Sequence, residues 1–215
     1  PAYRDKYVMG GKFRIVPLNF GEYDGGKIFD YEEVCVENKD MSFDDYLYIR
    51  SYSLLVEVLL NGRPFDELFQ YASFLGENKP TFLLRLHDNI ESSPPKIKRI
   101  ITDFFNETKN ELWSDEEELN SYYKKQRNYN KLKKGLVGGN LIYKYKAKSI
   151  AFAILDWIRY INKQLKCLAK ENNMLTKEIS SQIYQLNNYT KNKVSGLLDH
   201  TADTSPITSY FNYNF

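Results

Sequence analysis

The stretch KKGLVGGNLIYKYKAK, residues 133–148, holds the residue types needed to bind an anion. Glycines at 135, 138 and 139 leave backbone N–H groups unshielded just where a helical pattern begins. The start of a helix presents unpaired N–H groups and the positive end of its dipole. Lys134, Gly138, Gly139, Asn140, Lys144 and Lys148 are therefore the candidate anion-binding residues, with Lys133 and Lys146 adding charge. The stretch lacks the Gly-Lys-Ser/Thr ending of a P-loop, and no strand pattern precedes it. It reads as an ordinary helix entry or as a site for phosphate or nucleotide. Lys and Arg interleaved with Tyr over 122–146 also fit a nucleic-acid surface, although a helical patch on a nearly neutral chain is thin support.

The other reactive side chains do not assemble into a catalytic constellation. His87 and His200 are the only histidines, and neither has a Ser or Cys in a local signature. His87, near a helix end in LLRLHDNI, reads as a capping or surface residue. Cys35 and Cys167 lie on different elements with no Cys-x-x-Cys pairing, so neither a disulfide framework nor a zinc site is indicated. Cys35, alternating with Glu in EEVCVEN, reads as a half-buried structural thiol. The carboxylates of DEEE at 115–118 crowd a helix start, where a solvated first turn favoured by the dipole explains them.

Charge is unevenly spread along the 215 residues, although the formal net charge is only +2. Residues 1–120 hold 14 Lys and Arg against 23 Asp and Glu, and residues 121–170 hold 13 against one. A block that basic attracts anions or an acidic surface, which includes the chain's own acidic part. No apolar run approaches the roughly 20 residues that span a bilayer. The start at Pro1 has no apolar segment of a signal peptide, and the absence of Met suggests a fragment or processed chain. A reducing cytoplasm is the expected compartment.

Helices must position these residues. Extended runs at Lys12–Asn19 and Lys27–Glu37 flank Asp24-Gly25-Gly26, predicting a β-hairpin with a connection longer than two residues. Pro17 lacks an N–H and points to an edge position or an early strand end. A lone hairpin is marginal in water, so it must pack on helices or extend a sheet. Ser42 caps a helix running to Asn61-Gly62. Pro64 begins a second that Gly76 stops, Pro80-Thr81 a third, and Ser93-Pro94-Pro95 a fourth reaching Trp113. Ser114 caps DEEELNSYYKKQ. From Asn140 the longest helix carries Tyr143, Ala147, Ile150, Ile154, Ile158, Ile161, Leu165 and Leu168 at spacings of three and four, with Ala151, Leu155 and Trp157 widening the apolar surface. A last helix opens at Thr176. The fold class is mainly α: a helical bundle-like domain with an N-terminal β-hairpin. The expected divisions are a hairpin segment at 1–40 joining an upstream domain, a helical domain at 41–198, and an irregular tail at 199–215 whose aromatics suggest docking.

KFRIVPLNFGEYDG, YEEVCVENKDMSFDDYLYIRSYSLLVEVLLNGRPFDELF and GGNLIYKYKAKSIAF resemble the region that follows the catalytic barrel in radical SAM proteins carrying an N-terminal cobalamin-binding-type domain. The resemblance spans roughly residues 1–170. It implies a parent enzyme with a four-iron four-sulfur cluster, S-adenosylmethionine and cobalamin as cofactors, and an upstream catalytic domain of the same polypeptide as partner. The Cys-x3-Cys-x2-Cys motif that holds such a cluster is absent here, so no catalytic residue carries over and this stretch is not catalytic by itself. The function implied is an accessory C-terminal helical domain that shapes substrate access or partner contact. The rival is a stand-alone helical module binding phosphate, nucleotide or nucleic acid through the basic 121–170 region.

Overall fold

The computed structural model describes residues 2–195, so the tail expected at 199–215 and His200 lie outside the described residues. The chain is mainly α with an N-terminal antiparallel hairpin, as the sequence predicts. Its contacts divide it into two compact units, one holding the chain up to Ser51 with Thr102–Tyr145, the other Tyr52–Ile101 with the chain from Lys146 onward. The hairpin thus groups with helices far along the sequence rather than forming a segment of its own.

The first unit is built on the hairpin. After the short helix α1 (Ala2–Tyr7), strands β1 (Gly10–Tyr23) and β2 (Gly26–Glu37) pair with Tyr23 opposite Gly26. The connection is the two residues Asp24 and Gly25, tighter than the sequence suggests, with φ of 47° and 73°. Positive φ at both central residues is the twist-matched hairpin turn, and an Asp-Gly pair adopts it readily. Pro17 neither ends the strand nor breaks it. The register shifts between Ile15 and Phe20, and Leu18 takes φ 66°, so the proline sits in an irregularity where no ladder N–H is demanded.

Both faces of the ribbon are used. Ile15 and Phe29 are buried with Leu119 and Tyr123 of α6 (Glu116–Lys124) and with Tyr129 and Leu132 of α7 (Gln126–Lys133). Phe29 and Tyr129 meet edge-on at 5.9 Å. Trp113 exchanges both backbone hydrogen bonds with Phe13 at 2.7 Å, tying the approach to α6 onto the strand. On the other face Arg14, opposite Glu32, reaches Glu111 just past the end of α5 (Pro95–Asn110). Two caps refine the sequence reading. Ser42 and Asp45 satisfy each other's backbone N–H groups at the start of α2 (Phe43–Leu55). Asp115, not Ser114, caps α6, while Ser114 accepts from Lys12 at 3.0 Å.

The second unit is purely helical. A π-helical turn, Val56–Leu60, leads to α3 (Asp66–Phe74), α4 (Lys79–Asp88) and a short 3-10 turn, Ile90–Ser92. Asn78 caps α4, a position that the prolines of the segment obscure. The long helix α8 (Leu141–Glu171) supplies this unit from Lys146 on, and α9 (Lys177–Val194), capped by Thr176, follows. Trp157, Ile158, Tyr160, Ile161, Leu165 and Leu168 are buried, as are Phe69, Phe82, Leu86 and Leu186 of the same unit, and Tyr160 donates to the Leu86 carbonyl at 2.7 Å.

The apolar stripe of α8 follows the expected line only in its second half. Tyr143, Phe152 and Leu155 are exposed, and the buried line of the first half runs through Tyr145, Ser149 and Ala153. Polar Ser149 and small Ala153 conceal that line from a hydrophobicity pattern. Trp157→Ala should cost about 3–5 kcal/mol by removing a fully buried ring. Phe152→Ala, 70% exposed and five residues earlier, should stay within about 0.5 kcal/mol. Urea denaturation of the two variants checks the assignment.

Candidate functional site

The glycine-rich entry to α8 is built largely for packing. Gly135 N–H and Leu136 N–H bond back to Leu132 and Lys131, closing the end of α7, and Lys134 is the exposed residue at that end. Gly138 has φ 69°, and a Cβ there would lie 2.5 Å from the Leu132 side chain. Its lack of a side chain is a close-approach requirement of the hairpin core. Gly139 faces open space. Asn140 caps α8 by accepting from Tyr143 N–H at 3.2 Å, which occupies one of the N–H groups an anion would use. Lys144 pairs with Glu107 at 2.6 Å, and Tyr145 donates to the same carboxylate at 2.7 Å. Burial first, then that hydrogen bond, drives the Tyr145 hydroxyl far above its ordinary range. Lys148 is half-buried and belongs to the other unit, as does Lys146, which pairs with Glu57 at 2.6 Å.

A second polar cluster lies beneath the hairpin. Glu111 accepts from Arg14 at 3.2 Å, and its carboxyl is raised above the usual range by burial, with Arg14 and Arg50 opposing the shift. Arg50 stands over the Phe104 ring, 5.8 Å from its centre, and its buried Nε has no hydrogen-bond partner among the described residues. Tyr31 donates to Glu116, so the acidic first turn of α6 is partly a docking point for β2. Cys35 is half-buried and donates to the Glu37 carbonyl at 3.3 Å. No group of three His, Cys, Asp or Glu among the described residues could hold a metal ion, and no described helix is long and apolar enough to cross a membrane.

A groove of about 440 Å³ in the second unit is lined by residues of α8 and α9. From α8 it takes Arg159, Lys163 and Lys166, spaced by four and three residues along one exposed line, with Asn162 and Cys167 beside them. From α9 it takes Ile183, Tyr184 and Asn187. Arg159 is paired along its own helix with Asp156 at 3.1 Å, and Lys163 donates to the Ser92 carbonyl at 2.9 Å. Lys166 has no hydrogen-bond or ion-pair partner among the described residues. Asn162 is 7% exposed; its amide donates to Ile158 carbonyl at 2.8 Å and to Asn187 Oδ1 at 3.2 Å. Asn162 Oδ1 is buried with no partner among the described residues, as are Ser93 Oγ, Ser149 Oγ and Trp157 Nε1 of the same unit, and such an atom carries a cost.

The groove's cations Arg159, Lys163 and Lys166 fall within the basic 121–170 region but outside the stretch that the sequence singles out. Their signal lies in the spacing: Arg159, Lys163, Lys166 and Lys170 recur at intervals of three and four residues. No protein family, no curated protein and no solved structure matches this chain, and nothing in those comparisons identifies a radical SAM or cobalamin-binding protein.

His87 differs from its expected exposure. It is buried to 7%, edge-on to Tyr52 at 5.8 Å, and burial lowers its pKa from the ordinary 6.5, against the opposing pull of Asp88. The folded state therefore keeps the ring neutral while the unfolded chain takes up a proton below about pH 6.5. Stability contributed by the neutral ring is present above that pH and falls as acid is added. Urea midpoints should decline between pH 7 and pH 5, and His87→Gln should flatten the slope over that window. An unchanged slope would mean that the ring is not desolvated.

Proposed function

We propose that this chain is a ligand-binding module whose α8–α9 groove takes a phosphate-bearing anion. The observation that carries the reading is the line of Arg159, Lys163 and Lys166 on the groove's rim, with Lys166 unpaired among the described residues. Three cationic side chains one turn apart bring several N–H donors to one oxygen-rich group, and charge-assisted bonds of this kind are shorter and stronger than neutral ones. Asp156 is the carboxylate that competes, through Arg159 and more distantly through Lys96 at 3.9 Å. Ile183 and the lysine stems give the groove apolar walls, where ionic contacts are less screened than in open water.

Calorimetric titration of the 215-residue chain with ATP and with inorganic phosphate tests this. Saturable binding that weakens with salt is expected, together with at least a tenfold loss in Lys163→Glu/Lys166→Glu. Thermal melts of that variant should remain close to wild type, because surface charge changes usually cost under about 0.5 kcal/mol. Absence of saturable binding by either compound, or equal binding by the variant, would overturn the reading.

The resemblance over residues 1–170 supports a wider proposal, that the module serves as the accessory C-terminal domain of a cytoplasmic radical SAM iron–sulfur enzyme. The open reading frame that encodes the chain tests it. A Cys-x3-Cys-x2-Cys motif upstream supports it, and a frame without one removes it. The two proposals are compatible, since a groove on an accessory domain can hold a ligand for its neighbour.

A further inference from the structure

We infer that the ligand of the α8–α9 groove is a free nucleoside phosphate, its base lying against Tyr184 and its phosphates on the cationic rim; this rests on the anion-binding reading above. A bare phosphate would use only the rim, whereas a groove of about 440 Å³ lies in the range of small-molecule sites and leaves most of its wall to something flatter and less polar. Tyr184 is 64% exposed although it stands in the concavity beside Ile183, which is 1% exposed. An uncovered tyrosine face above an apolar floor is a stacking platform that tolerates any base. Cys167 adds a polarisable sulfur of the kind that packs well on aromatic rings.

The carboxamides supply the complement to a base edge. Both amide hydrogens of Asn162 are committed, one to Ile158 and one to Asn187, so its remaining capacity is the unpaired acceptor Oδ1. Asn187 accepts through its oxygen, and its own amide has no partner among the described residues. The pair can thus give a hydrogen bond and receive one. An amino group beside a ring nitrogen on a base edge offers the matching acceptor and donor. By engaging both side chains, the base would add two bonds beside the 3.2 Å amide contact and satisfy the Asn162 oxygen that has no partner among the described residues. Helical rise sets the cationic residues roughly 5–6 Å apart per turn, a spacing suited to sugar and phosphate extending from the base.

Calorimetric titration of the whole chain with AMP, ATP, ribose 5-phosphate and inorganic phosphate reads the inference, with a short single-stranded RNA in parallel. AMP and ATP should bind at least tenfold more tightly than ribose 5-phosphate or phosphate. Tyr184→Ala should remove that advantage without changing phosphate binding, and Tyr184→Phe should retain it. Asn187→Leu should weaken AMP and leave phosphate unaltered. Phosphate or ribose 5-phosphate binding as tightly as AMP, or nucleotide binding indifferent to Tyr184→Ala, would overturn the nucleoside assignment and leave the anion groove standing. Tighter binding of RNA than of either nucleotide would overturn it in favour of a nucleic-acid site. Failure of every phosphate compound to bind would overturn both readings.

Discussion

Burial of the second half of α8 is the constraint on which the helical unit depends. From Trp157 to Ala169, residues are buried on most of the helix's circumference: Trp157, Ile158, Tyr160, Ile161, Leu165, Leu168 and Ala169 are each at most 3% exposed. A helix buried on most of its circumference needs cover from several elements. Phe82 and Leu86 of α4 and Ile183 and Leu186 of α9 are buried in the same unit. The line left over, through Arg159, Lys163 and Lys166, is the part of the circumference that the core does not use. The candidate groove follows from this arrangement, because α9 returns beside that uncovered line.

Two cations of the basic region are neutralised within their own units. Glu107 takes Lys144 in the first, and Glu57 takes Lys146 in the second. Such half-buried pairs are modest sources of stability, since desolvation offsets most of the attraction. Their consequence is for binding: a lysine already held at 2.6 Å by a carboxylate must give up that partner to meet an anion. Lys166 faces no such cost.

Legibility in the sequence followed the length scale of each signal. Helical spacing exposed the long elements, and caps at Ser42 and Thr176 fixed two starts because their side chains act on the adjoining turn. The hairpin was legible from alternation and Asp24-Gly25, yet its continuation past Pro17 was not. That depends on a register shift opposite β2, a property of two strands together. The separate helix α7 was hidden because its basic residues obscure the buried pair Tyr129 and Leu132, whose partners Ile15 and Phe29 lie about a hundred positions away in sequence. His87 reads as a capping or surface residue for the same reason: the Tyr52 ring beside it belongs to another helix.

Residue types suited to anion binding can also serve packing and capping. Residues 133–148 carry the glycines and lysines that phosphate sites employ, but there Gly138 is spent on contact with Leu132, Asn140 on a cap and Lys144 on Glu107. Arg159, Lys163 and Lys166 belong to no motif, and most of their sequence neighbours are buried. A charged residue interrupting an apolar helix is ordinarily taken as its solvent face. What distinguishes these three is the second helix alongside them, bringing Tyr184 and Asn187 to the same concavity and leaving a buried oxygen of Asn162 unmatched. The burial of its neighbours makes such a line informative: the core fixes the helix's rotation, so the positions of its exposed cations are fixed with it.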